Sequence, residues 1–197
     1  TFPMDAADPQ VEIKVDRMLD QLSNVVILVN NVATINERPM QVHEMEYSKV
    51  QDILNVNCGF MVLLTSKVVT KVSCIINVGS LTSTVPFAMQ SVYAASKAFV
   101  SHFSSCLSAE YPHLDVLCVR PGLTATKLVA NQSNMIIAHP DDIARRSLGL
   151  VGYAEMLPFP MHSILDWIST IVPKKWQAAA TLSMGTQLRK KWDEQHA

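Results

Sequence analysis

A serine, a tyrosine and a lysine stand at fixed spacing in the middle of this chain, in Ser80-Leu81-Thr82-Ser83 and Tyr93-Ala94-Ala95-Ser96-Lys97. Tyr93 and Lys97 are four residues apart, so on a helix both project from one face, a turn apart. An ammonium beside a phenol favours the phenolate and draws the tyrosine pKa down towards the working pH. A tyrosine tuned in that way can give a proton to a carbonyl oxygen or take one from an alcohol. Ser80 lies just past a short apolar strand, where its hydroxyl could hold the same oxygen.

The elements that must position these groups alternate between strand and helix, which predicts an α/β fold with a parallel sheet. Val11, Val15, Met18, Leu19 and Leu22 fall at helical spacing, giving an amphipathic helix over about 9–23. The next strand, 25–30, lacks alternation and so reads as buried on both faces. A helix follows over about 44–71, with Val50, Ile53, Leu54, Met61, Leu64 and Val68 as its apolar positions. Two more central strands, 74–78 and 116–119, bracket the helix of Tyr93 and Lys97, about 91–111. Pro140-Asp141-Asp142 opens another helix with a proline and acids where a first turn prefers them. The chain shows no internal repeat and reads as one domain, in which 156–197 is an apolar helical tail.

Composition sets limits on partners. Of the 197 residues, 49% are hydrophobic and only 17% charged, against about 25% charged in ordinary domains. Much of the chain is therefore buried, or some surface faces a partner, a membrane or a further part of the fold. A net charge of −1 gives no electrostatic case for nucleic acid. Cys58, Cys74, Cys106 and Cys118 sit in apolar contexts with no C-x-x-C pair, which favours buried thiols in a reducing compartment over disulfides or a metal site. Residues 1–8 carry neither a basic nor an apolar signal region. The stretch 156–173 is apolar but contains His162, Asp166 and three prolines, so it is a poor membrane-spanning helix.

The ordered set of motifs carries a resemblance. Val25-Val26-Ile27-Leu28-Val29-Asn30-Asn31 comes first, then Asn55-Val56-Asn57, then Cys74-Ile75-Ile76-Asn77-Val78-Gly79-Ser80. Tyr93 and Lys97 follow, and last Val116-Leu117-Cys118-Val119-Arg120-Pro121-Gly122, with Thr126 four residues beyond the glycine. This set resembles the short-chain dehydrogenase/reductase family, whose N-N-A-G, asparagine, serine, Y-x-x-x-K and P-G-x-x-x-T motifs occur in that order. The likeness is close over about residues 1–130. It implies a Rossmann-like parallel sheet flanked by helices. It also implies catalytic roles for Asn57, Ser80, Tyr93 and Lys97. Tyr93 would be the general acid/base, and Lys97 would also bond the nicotinamide ribose hydroxyls. Ser80 would position the substrate carbonyl, and Asn57, with Asn55 as the competing choice, would hold a water linking Lys97 to solvent. Asp5 would face the adenine, while Asn31, Pro121, Gly122 and Thr126 would reach the nicotinamide end. Thr124 reads as a plain turn residue.

The sequence departs from the family in places. Alanine replaces the glycine of N-N-A-G, in Asn30-Asn31-Val32-Ala33, and Gly79-Ser80 stands where relatives carry Ser-Ser. The family's T-G-x-x-x-G-x-G turn, which receives the pyrophosphate at a helix N-terminus, has no counterpart among Gly59, Gly79, Gly122, Gly149, Gly152 and Gly185. The expected fold is thus N-terminally incomplete, and residues 1–197 alone are expected not to catalyse hydride transfer.

Ser91-Val92-Tyr93, Leu107-x-x-Glu110-Tyr111, Ala125-Thr126-Lys127-Leu128 and Ser147-Leu148-x-x-Val151-Gly152 look like one subfamily, of 17β-hydroxysteroid dehydrogenases and very-long-chain 3-oxoacyl-CoA reductases. That likeness implies NADPH, with NAD as the other choice, and an apolar ketone, either steroid or acyl-CoA, as substrate. It also implies association with the endoplasmic reticulum membrane, a cytoplasmic protein being the alternative. The tail over 156–173 would then be a substrate lid or interfacial segment, or else a helix pair closing the core. A homodimer would form through the long helices. A different class of function also fits: a non-catalytic truncated paralogue that pairs with a full-length relative.

Overall fold

The computed structural model describes residues 2–125 and 137–196. Helix α1 (Val11–Leu19) leads into strand β1 (Ile27–Asn30). The region expected as one helix over 44–71 is divided into α2 (Tyr47–Leu54), a wide π turn (Asn55–Gly59) and α3 (Phe60–Val68). Strand β2 (Cys74–Val78) and strand β3 (Asp115–Val119) flank α4 (Ser91–Glu110). Helix α5 (Pro140–Leu148), a two-residue strand β4 (Glu155–Met156), α6 (Pro160–Ile171) and α7 (Lys174–Gln195) complete the order.

All four strands are parallel, in the order β1-β2-β3-β4. Asn30 pairs with Asn77, and Val78 with Val119, so the strands end together at their carboxyl edge. The pleat sends alternate side chains to opposite faces. On one face Ile75 and Val116 join Val68, Val69, Val72, Leu107 and Leu114, with Leu28 packed against them. On the other, Cys74, Ile76, Leu117 and Val119 pack with Leu150 and Met156.

β2 is buried from Cys74 to Asn77 and half-buried at Val78, with the polar Asn77 inside held by hydrogen bonds to Asn30 and Ser104. β1 is not buried in this way, and here the sequence reading is corrected: Ile27 is 51% and Val29 53% exposed. β1 is an edge strand, and among the described residues nothing covers its second face. β4 escaped the sequence reading because two residues carry no periodicity. The four cysteines are free thiols, but only Cys74 and Cys118 are buried; Cys58 is half-buried and Cys106 lies exposed on α4. Among the described residues no helix is long and apolar enough to cross a membrane.

The tail forms two helices tied back onto the loops around the sheet's carboxyl edge. Arg38 makes a two-bond pair with Asp193 at 2.9 and 3.2 Å, and Arg189 one with Glu44 at 2.8 and 2.7 Å. Ahead of these pairs α7 buries a row of Gln177, Thr181 and Gly185. Gln177 donates to the Ser169 and Val172 carbonyls at the end of α6, while Thr181 and Gly185 face Ala88 and Met89 before α4. A Cβ on Gly185 would lie 3.1 Å from the Met89 sulfur and 3.2 Å from the Ala88 carbonyl oxygen. Met89 itself has φ +62, a left-handed conformation that holds its backbone in place only with support from its neighbours. In Gly185→Ala, the helix-propensity gain of about 1 kcal/mol should offset the close contact. Gly185→Val should cost about 1–3 kcal/mol by overpacking, which urea denaturation of the two variants will read.

Candidate active site

The carboxyl edge of the sheet brings the expected residues together. β2 runs out through Gly79 into Ser80, which is 8% exposed and caps the turn Leu81–Ser83: its Oγ accepts from the Thr82 N–H at 3.2 Å and from the Thr82 hydroxyl at 3.0 Å. Glycine at 79 has a local reason. A Cβ there would sit 3.2 Å from the Cys118 sulfur and 3.4 Å from the Arg120 Cγ. α4 begins at Ser91, so Tyr93 lies in its first turn and Lys97 one turn on, facing the end of β2.

Lys97 is 4% exposed, and its ammonium donates to the Val78 carbonyl at 2.8 Å. Among the described residues it has no ion pair with a carboxylate. Burial pushes its pKa down to about 8, against a smaller upward pull from Cys118 and Cys58. The Tyr93 phenol moves the other way from the sequence expectation: burial raises its pKa, and the Ser80 hydroxyl, hydrogen-bonded to it, lowers it by less. The Lys97 ammonium, bonded to the Val78 carbonyl, lies 5.8 Å from the centre of the phenol ring and is not among the causes of that shift. Ser80 and Tyr93 share one side of the sheet, as a common oxygen would require.

The π turn explains Asn57. It widens the helix where asparagine is locally unfavourable and turns the Asn57 side chain inward, while Asn55 stays exposed. The Asn57 carboxamide accepts from the Thr34 N–H at 2.7 Å and donates to the Thr34 carbonyl and the Ser96 hydroxyl, both at 2.9 Å. Ser96 donates in turn to the Tyr93 carbonyl at 2.7 Å. The side chain thus ties the loop after β1 to the helix of Tyr93. A second amide chain lies beneath it: Asn30 donates to Asn77 at 2.8 Å, and Asn77 to Ser104 at 2.9 Å. Thr34, Asn77 and Ser96 were not singled out in the sequence, although Ser96 stands inside the Tyr93–Lys97 motif.

After β3, Pro121 accepts from the Leu81 N–H at 2.9 Å, and Gly122 donates its N–H to the His162 Nδ1 at 2.9 Å. The fit is tight, since a Cβ on Gly122 would lie 2.8 Å from the His162 ring. Asp166, one turn further along α6, pairs with Arg120 at 2.9 Å, so α6 grips the chain on both sides of Pro121. His162 gave no sequence signal beyond interrupting an apolar stretch. Thr124 makes a local bond to the Gly122 carbonyl at 3.2 Å, the turn role expected of it. Asn31 and Ala33 are exposed in the loop after β1. Asp5 accepts from the Ala7 N–H at 2.9 Å and lines a cavity of about 560 Å³ with Val32, Thr34, Val56 and Phe60. Thr126 lies outside the described residues.

The short chain dehydrogenase family model matches residues 1–136. The chain belongs to the short-chain dehydrogenase family. Among its curated relatives is the very-long-chain 3-oxoacyl-CoA reductase of Neurospora crassa, 30% identical over 161 residues, or 74% of this chain and 48% of that one. A candidate steroid dehydrogenase of Caenorhabditis elegans is 30% identical over 148 residues, covering 69% and 56% of the two chains. The chain therefore spans about half the length of the curated relatives it matches. Among solved structures, the 3-ketoacyl-(acyl-carrier-protein) reductase of Brucella melitensis, complexed with NADH, matches with a TM-score of 0.64 at 25% identity, over 75% of this chain and 68% of that one. A 7beta-hydroxysteroid dehydrogenase matches in fold with a TM-score of 0.80 at 17% identity, over 91% and 75%. The parallel sheet flanked by helices is the Rossmann-like fold of this oxidoreductase family, whose members use NAD(P).

Asn57→Ala should leave the Thr34 backbone and the Ser96 hydroxyl without their partner, at a cost of about 1–3 kcal/mol. Urea denaturation measures this, and an unchanged midpoint would show that the tie contributes nothing.

Proposed function

We propose that this chain carries the proton-transfer and nicotinamide end of a reductase of apolar ketones, either a steroid or a 3-oxoacyl-CoA, with NADPH as the preferred cofactor and NAD as the alternative. The observation that supports this reading is the meeting of Ser80, Tyr93 and buried Lys97 at the carboxyl end of β2, the edge at which parallel α/β sheets bind ligands. The residues present fit the nicotinamide half of the cofactor, where Lys97 offers a buried donor and the Gly122 turn is firmly seated. They do not include the glycine turn that would hold the phosphates. The cofactor, when bound, supplies the hydride that reaches the carbonyl carbon.

The residues of this chain handle the oxygen and its proton. Ser80 donates a hydrogen bond to the carbonyl oxygen, and Tyr93 gives that oxygen its phenolic proton. Burial holds the phenol protonated, and the positive charge of Lys97 beside it favours release of that proton as the carbonyl oxygen gains charge. Lys97 stabilises the phenolate left behind and bonds the ribose hydroxyls. Lys97 gives a proton back to the phenolate, and the water held by Asn57, which links Lys97 to solvent, restores the proton to Lys97. Asp5 faces the adenine from its cavity, and Asn31, Pro121, Gly122 and Thr126 contact the nicotinamide end. Residues 1–197 form one unit in this reading, with 156–197 closing it. In this reading, which rests on the subfamily resemblance, the activity lies at the endoplasmic reticulum membrane. A homodimer forms through the long helices expected over about 44–71 and 91–111, here α2 with α3, and α4.

A second reading has its own support. The chain spans about half the length of its relatives and lacks the glycine turn, so residues 1–197 by themselves would serve as a non-catalytic partner of a full-length relative. NADPH oxidation with a 3-oxoacyl-CoA or a ketosteroid separates the two. In a chain that includes the phosphate-binding turn, turnover is expected, and Tyr93→Phe should lower it about 10²-fold or more while sparing the fold. Near-normal turnover in that variant would remove Tyr93 from the mechanism.

A further inference from the structure

α6 has two faces of opposite character. Its inner face is locked: His162 holds the Gly122 N–H, and Asp166 is paired with Arg120. Its outer face carries Ile164, Trp167, Ile168 and Ile171, at i, i+3, i+4 and i+7, which is a single stripe on a helix. All four are exposed, Trp167 to 63% and Ile171 to 64%. Trp176, five residues beyond Ile171 at the start of α7, also leaves 65% of its surface in solvent. Such a contiguous apolar surface marks an interaction site rather than ordinary surface scatter.

Charge indicates what covers it. Across α6 and α7 the sequence holds five cations and three acids, Asp166, Asp193 and Glu194. Arg189 pairs with Glu44, Asp193 with Arg38, and Lys190 lies near Glu194. This leaves Lys174, also bonded to the Thr84 carbonyl, and Lys175 next to the stripe with no ion pair among the described residues. Asp166 is turned inward and neutralised by Arg120. The patch therefore presents apolar and indole side chains, with Lys174 and Lys175 beside Trp176 and no opposing carboxylate on α6. Tryptophan suits the boundary between headgroups and acyl chains, and lysine suits anionic headgroups. Because the inner face already fixes α6, the stripe is presented without a folding cost.

We infer that the outer face of α6, with Trp176 and Lys174-Lys175, docks flat on an anionic phospholipid surface. This gives the proposed membrane placement a specific contact, and it is tested without cofactor or turnover, so its failure is distinct from failure of the catalytic reading. The experiment is sedimentation of residues 1–197 with phosphatidylcholine vesicles, with or without phosphatidylserine, while tryptophan emission is followed. The protein should bind the anionic vesicles with a blue shift, more weakly as salt rises. Brominated lipid should quench that emission in the unmodified protein, a readout that does not depend on any variant folding. The double variant Trp167→Ala, Ile168→Ser should bind about tenfold or more weakly, whereas Tyr47→Ala, another exposed aromatic on α2, should bind normally. Absence of binding, or binding indifferent to the double variant, overturns the proposal. So does a vesicle-free dimer that the double variant dissociates, because the patch would then be an interface between copies.

Discussion

A lysine ammonium buried against a single backbone carbonyl, with no ion pair to a carboxylate among the described residues, is the constraint on which this site depends. An unpaired buried charge is costly, and a protein usually answers by pairing it or by lowering its pKa. Lys97 takes the second course: it has the Val78 carbonyl, and its pKa falls to about 8. The arrangement persists because α4 is packed along β2 and β3, with Val100 and Leu107 buried on the same helix. A group kept this close to neutrality can exchange a proton at physiological pH, which an exposed lysine does poorly.

What keeps the phenol and the ammonium in register is a set of buried polar ties. The π turn swings Asn57 into contact with Thr34 and Ser96, and Ser96 reaches the Tyr93 carbonyl. Beneath it, Asn30, Asn77 and Ser104 link β1, β2 and α4 through their side chains. From the far side, α6 fixes the turn after β3 through His162 and Asp166. Buried polar networks are costly if any member is lost, and for that reason they specify one arrangement of loops. The same helix that secures the turn carries an apolar stripe outward, so site geometry and surface chemistry meet in α6.

Much of this was legible in the sequence, for physical reasons. Tyr93 and Lys97 are a helical turn apart, and the flanking runs 74–78 and 116–119 are apolar except for Asn77, so both the motif and its scaffold follow from periodicity. The π turn at Asn55–Gly59 was not foreseen, since apolar spacing alone continues the helix through it, although asparagine is locally unfavourable at such a position. The direction of the Tyr93 pKa was not legible, because spacing places the lysine beside the ring but does not say that its ammonium will prefer the Val78 carbonyl. The open face of β1 was hidden too, since an apolar run looks the same whether or not its second face is covered. His162 could not be read either, because its partner, the Gly122 N–H, is forty residues away and belongs to the backbone.

The central claim is that burial sets the protonation of Lys97 in the absence of an acidic partner. Following the Lys97 side-chain ¹³Cε resonance with pH, assigned by comparison with Lys97→Arg, tests it most directly. The account predicts a midpoint near pH 8. A midpoint near the ordinary lysine value of about 10.4 would show that the ammonium is solvated or paired, and would contradict the account.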